Sequence, residues 1–284
     1  MRDWKDRPKR VPEPEIPEDI EAGDLAKVLR SELLTLSKEN ADGVARHLVA
    51  VGRALDAEEF DLALEHAQTA AKRAGRVAGV RETLGVVHYR RGEWAQALGE
   101  FRTARRISGL HHLLPLIADA ERGLGRPERA LELGDSPEAR MLGAAEQVEL
   151  AIVLSGARID MGQSAAGVQQ LRDLTVAGSP SAPWAARLRY AYAAALEADG
   201  QQAEAQVWLQ RAAAVDVSEE TDARELLGLD EAPVFVDLTG DVDPEEGQPS
   251  EVAPSDQTTA RGSGQETTTR EPERRGRTDR SQGR

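Results

Sequence analysis

The sequence predicts an all-α chain, an α-solenoid of about five helix pairs lying between two disordered arms. Three observations carry that expectation. Between Arg81 and Ala104, apolar and small residues recur at helical spacing on both sides of Gly92, which reads as helix, tight turn, helix. Phe60, Ala63, Ala67 and Ala70 match Trp94, Ala97, Phe101 and Ala104 at a constant offset of 34 residues, so the unit is repeated. Glycines suited to the same turn return at Gly125, Gly162 and Gly200, at intervals of 33, 37 and 38 residues counted from Gly92.

Taken in order, residues 1–22 carry Pro8, Pro12, Pro14 and Pro17 among charges and read as an extended, mobile arm. The helical domain is expected over 23–229. Leu25, Val28, Leu29, Leu33 and Leu36 then recur at helical spacing with Asp24 as N-cap, which predicts a leading helix packed on the first repeat. The first repeat is expected at about 44–75 and the second around Leu84, Gly85, Gly92, Trp94, Ala97, Phe101 and Ala104. In that second unit Gly85 and Ala97 suit a close helix crossing, Leu84, Trp94 and Phe101 fill the space around it, and Gly92 ends the first helix.

Later units are looser. Ile117, Ala118, Gly125 and Ala130 suggest a third, with Pro127 opening its second helix and Gly134 to Pro137 cutting it short. Leu154, Ser155, Gly162, Gly167, Leu171 and Leu174 suggest a fourth; Tyr192, Ala193, Gly200, Ala205, Leu209 and Ala212 suggest a fifth. The run from Gly178 to Pro183 is an insertion that ends with a proline suited to opening a helix at Trp184. Ser218, Glu219 and Glu220 are expected to cap one more short helix ending near Gly228, which covers the last apolar face of the array. Residues 230–284 are expected to be a mostly disordered tail, with one short apolar run at 234–238 and an arginine-rich end.

The motif from Leu84 to Ala104 resembles the tetratricopeptide repeat (TPR) family, helix–turn–helix units of about 34 residues. The resemblance covers about 44–214, with two well-matched repeats and three degenerate ones. It implies a right-handed stack whose first helices line a groove for peptides or partner helices. Carried across residue by residue, it places Glu82, Val86, Tyr89 and Arg90 in that groove in the second unit. In later units it places Asp119 and Arg122, then Ile152 and Ile159, then Arg187, Tyr190 and Glu197. The Lys and Asn clamp that part of the family uses to hold a C-terminal carboxylate is missing, because Glu82, Val86, Leu48 and Gly52 occupy the matching positions. Val234 to Leu238 resembles a SUMO-interacting motif, which adds a strand to a partner's sheet; the favoured expectation is that the run folds back and packs on the apolar end of the array, with partner binding as the alternative.

Composition narrows the chemistry. With no cysteine, the chain has no disulfide, thiolate metal site or cysteine nucleophile. No phosphate loop, dinucleotide fingerprint or serine elbow occurs, so the chain reads as non-enzymatic and free of cofactors. His111 and His112 are adjacent, which on a helix points them about 100° apart and disfavours a shared metal. His88 is expected to pack, and His47 and His66 show no partner by spacing. The charged, proline-led start lacks the apolar core of a secretion signal, and no stretch is apolar enough for a membrane span, which together suggest a cytoplasmic protein.

A net charge of −14 argues against general affinity for nucleic acid. One local excess runs the other way: Lys72, Arg73, Arg76, Arg81, Arg90, Arg91, Arg102, Arg105 and Arg106 face only three glutamates in the same stretch. The expected function is a non-catalytic scaffold binding a peptide or partner protein. RNA association through the basic 72–106 face and the arginine-rich tail is the alternative, and an accessory or regulatory subunit of an enzyme is a further one.

Overall fold

The computed structural model describes residues 12–229, and among them every regular element is helical. The chain divides into two units, 1–232 and 233–284, so all described residues belong to the first. The tail with its 234–238 run and arginine-rich end lies outside the described residues, as do residues 1–11.

A short helix α1 (Lys27–Glu32) precedes five consecutive pairs. They are α2 (Lys38–Asp56) with α3 (Phe60–Ala74), α4 (Ala78–Arg90) with α5 (Trp94–Ser108), α6 (Leu114–Gly123) with α7 (Pro127–Gly134), α8 (Ala144–Asp160) with α9 (Ser164–Ala177), and α10 (Ala185–Ala198) with α11 (Gln202–Ala213); α12 (Ala223–Leu226) follows. Each pair packs within itself and against the first helix of the next, a TPR-like array.

All five pairs share one turn. Glu58, Gly92, Gly125, Gly162 and Gly200 lie in the left-handed region, with φ of 57°, 71°, 70°, 73° and 79°. In every case the next residue's N–H bonds a carbonyl five residues back: Glu59 to Ala54, Glu93 to His88, Arg126 to Glu121, Gln163 to Arg158 and Gln201 to Leu196, at 2.8–3.0 Å. That 6→1 bond, with a 5→2 bond inside it, satisfies two of the carbonyls a helix end leaves open. The third unit, irregular in sequence, closes with the same turn as the others.

The crossing of α4 and α5 follows the sequence closely. Leu84, Ala97 and Phe101 are buried, and a Cβ added at Gly85 would lie 2.6 Å from the Phe101 ring. Trp94 differs from expectation. It packs on the next unit, where a Cβ at Gly123 would meet its ring at 2.4 Å.

Three expectations for the ends change. The leading segment is broken by 3-10 turns at Ala22–Asp24 and Leu33–Thr35, so Leu25 and Leu33 are buried while Val28 is 77% exposed. Asp24 does not cap α1; its carboxylate accepts the Glu21 N–H at 2.9 Å and closes the preceding turn. Ser218 to Glu220 do not open α12 either. The buried Asp216 carboxylate accepts the N–H groups of Glu220 and Thr221, each at 2.8 Å, and Asp222 takes the cap position.

Residues 12–22, expected to belong to the mobile arm, lie against the first pair. Ile20 is 1% exposed, its carbonyl accepts Arg46 Nε at 2.9 Å, and Asp19 and Glu13 pair with Arg53 and Arg73. One apolar anchor, one hydrogen bond to a backbone carbonyl and two ion pairs hold a stretch whose average composition reads as unfolded.

Candidate partner-binding site

The groove residues predicted from the repeat register divide by chemistry. Tyr89 at the end of α4, Asp119 and Arg122 on α6, and Asp160 at the end of α8 converge into one polar chain. The Tyr89 hydroxyl donates to Asp119 Oδ2. Arg122 donates from Nη1 to Asp119 Oδ1 at 2.8 Å and from Nε to Asp160 Oδ2 at 2.7 Å. Its guanidinium lies along α8 at Gly156, where a Cβ would fall 2.7 Å from Cζ, so glycine admits the close approach. Burial and the neighbouring Asp119 carboxylate both push the Tyr89 phenol up, so it stays protonated as the donor. Burial works against the Arg122 charge, but Asp160 and Asp119 overcome it and raise its pKa.

Beside this chain opens a cleft of about 670 Å³ lined by Trp94, Arg122, Glu128, Asp160 and neighbouring residues of the α6–α7 turn. Trp94 meets Tyr89 edge-on, with ring centroids 5.1 Å apart, which ties its ring to the polar chain. The cleft therefore draws on three successive units. Trp94, Glu128 and Asp160 escaped the groove assignment from sequence. The position of Asp160 was legible: it stands two residues before the turn glycine Gly162, as Arg90 does before Gly92.

Other predicted groove residues take different roles. Glu82 Oε2 accepts from His112 Nε2 at 3.0 Å, and Arg187 pairs with Glu149 and, at 3.5 Å, with Glu220. Burial raises the Glu149 pKa, against the pull of Arg187. Val86 packs against the Phe101 cluster, while Ile152 and Ile159 pack against the cluster that holds Leu171 and Tyr192. Tyr190 packs toward Ala212 and Ala223, Glu197 is exposed, and Arg90 is exposed with its guanidinium 5.7 Å from the Phe60 ring centroid.

The basic stretch is largely paired. Arg73 meets Glu13, Arg81 meets Glu100, Arg91 meets Asp61 and Glu93, Arg102 meets the buried Glu121, and Arg105 meets Glu138. Lys72, Arg76 and Arg106 are exposed, with no ion-pair partner among the described residues.

The histidines also find partners that spacing alone did not show. His47 and His66 are buried with their Nδ1 atoms 2.9 Å apart, and His88 Nδ1 lies 2.5 Å from Glu93. No group of three metal-ligating side chains is close enough to hold an ion among the described residues, where no helix is long and apolar enough to cross a membrane.

No family model matches the sequence, and no curated protein is significantly similar to it. Among solved structures, one similar chain is YrrB, described as a TPR protein with an unusual peptide-binding site. It is 14% identical, with 65% of this chain and 91% of that chain covered and a TM-score of 0.36. The fold assignment rests on the helix pairs and their shared turns, not on this likeness.

Proposed function

We propose that the chain is a non-catalytic, TPR-type interaction scaffold that receives a peptide or partner protein on the face formed by α4, α6, α8 and α10. One observation carries this reading: the open cleft beside Trp94, lined by the ends of the first helices α6 and α8 and the starts of the second helices α5 and α7. A cleft of that volume with an aromatic wall and convergent charges suits side chains of a docked segment. The pairing of most cations between Arg73 and Arg105 with carboxylates leaves less free charge for phosphates than their number suggests, which counts against the RNA reading.

The test is affinity isolation of the tagged full chain from its own cells, with and without RNase. A stoichiometric protein that survives RNase is expected; if that protein is itself an enzyme, the chain is its accessory subunit. Retention of RNA alone, or loss of every partner on RNase treatment, would overturn the reading and direct attention to Lys72, Arg76, Arg106 and the arginine-rich tail.

A further inference from the structure

The charge balance of the cleft beside Trp94 discriminates between kinds of occupant. This inference rests on the scaffold reading above and narrows it. The ionisable side chains of the lining are Asp119, Arg122, Glu128 and Asp160, three carboxylates against one guanidinium. That guanidinium is engaged: Nε and Nη2 face Asp160 and Nη1 faces Asp119, which pins it along α8 and matches its charge twice over. Glu128 stands exposed in the first turn of α7, with no ion-pair partner among the described residues.

An anionic segment would therefore meet uncompensated negative charge, and Arg122, the one cation among the described lining residues, is already held. A cationic segment meets carboxylates with free lone pairs and the indole of Trp94, whose ring attracts an ammonium or guanidinium. The net charge of −14 adds long-range attraction of the same sign. We infer that this cleft takes a Lys- or Arg-bearing stretch of an extended peptide, with the cationic side chain received by Glu128, Asp160 and Trp94.

The test uses the full chain with two short fluorescent peptides, one alternating Arg and Gly and one alternating Glu and Gly, followed by anisotropy at low and high salt. The Arg–Gly peptide is expected to bind and to weaken with salt. Glu128→Lys should reduce its affinity about fivefold or more, the scale of one lost and reversed exposed ion pair. Glu204→Lys, a matched reversal at an exposed position of α11, should leave affinity within about twofold, so that loss of bulk attraction is separated from loss of the cleft. Circular dichroism establishes that both variants fold. Equal binding of the Glu–Gly peptide, no binding of the Arg–Gly peptide, or equal effects of the two reversals would overturn the inference. Failure here is distinguishable from failure of the scaffold reading: a stoichiometric partner retained undiminished by the Glu128→Lys chain leaves the scaffold standing and removes only this cleft.

Discussion

Glu58 occupies the position where the other four pairs carry a turn glycine, and it adopts the same left-handed backbone at φ 57°. A side chain there costs roughly 1–2 kcal/mol, partly offset by the greater freedom glycine would have in the unfolded chain. Glu58→Gly is expected to stabilise by about 0.5–1 kcal/mol, read as a rise in thermal midpoint; a lower midpoint would refute the strain. A second residue-scale prediction concerns the imidazole pair. His47 and His66 stand at the positions that Arg81 and Glu100 occupy 34 residues later, so one inter-helix contact is made by two neutral rings in the first unit and by an ion pair in the second. Burial first, then the neighbouring His66 and Arg73 charges, lowers His47 to about 4, and burial lowers His66 as well. Unfolded imidazoles take up protons as pH falls past about 6.5, while the folded His47 does so only near 4. Stability is thus full above pH 6.5 and declines between there and pH 4, by on the order of 3 kcal/mol from His47. The exchange His47→Arg with His66→Glu should remove that decline from pH-dependent urea titrations; an unchanged profile would contradict the assignment. Sequence alone left these histidines unpartnered because the offset that pairs them is visible only once Arg81 and Glu100 are known to touch.

At the scale of helices, small residues matter where backbones approach and are dispensable elsewhere. Gly85 and Gly99 lie in consecutive helices of the same pair. A Cβ at Gly85 would lie 2.6 Å from the buried Phe101 ring, whereas one at Gly99 meets nothing within 4 Å. Gly99→Ala should stabilise by about 0.5–1 kcal/mol through helix propensity. Gly85→Ala should instead destabilise by about 1–3 kcal/mol through overpacking, as measured by chemical unfolding. Equal effects would show that the crossing is looser than described. These elements were legible because turn residues and crossing residues sit close in sequence. The leading segment was less so, since apolar spacing from Leu25 to Leu36 fits one continuous helix and does not register the 3-10 turns that rotate Val28 into solvent.

For the described unit as a whole, the array is closed at its start by a segment whose composition suggests an unfolded arm. Ile20 is fully buried, and Ile20→Ala should cost about 2–4 kcal/mol by chemical unfolding; a cost below about 0.5 kcal/mol would mean that residues 12–22 do not pack on α2 and α3. The candidate site belongs to this scale too. Its contacts join residues 30 apart, Tyr89 with Asp119, and 38 apart, Arg122 with Asp160. The repeat register runs along first helices, which is why it found Tyr89, Asp119 and Arg122 but not Trp94 and Glu128 at the starts of the second helices α5 and α7, while Asp160 holds the position in its unit that Arg90 holds in the second.

Hydrogen–deuterium exchange of the full chain, alone and saturated with the partner recovered by affinity isolation, locates the surface on which that partner docks. New protection is expected at the ends of α4, α6 and α8, at the starts of α5 and α7 and in the α6–α7 turn, with α3 and α9 unchanged. Protection confined to α3, α9 and α11, or to the two terminal segments, would contradict docking at the cleft beside Trp94.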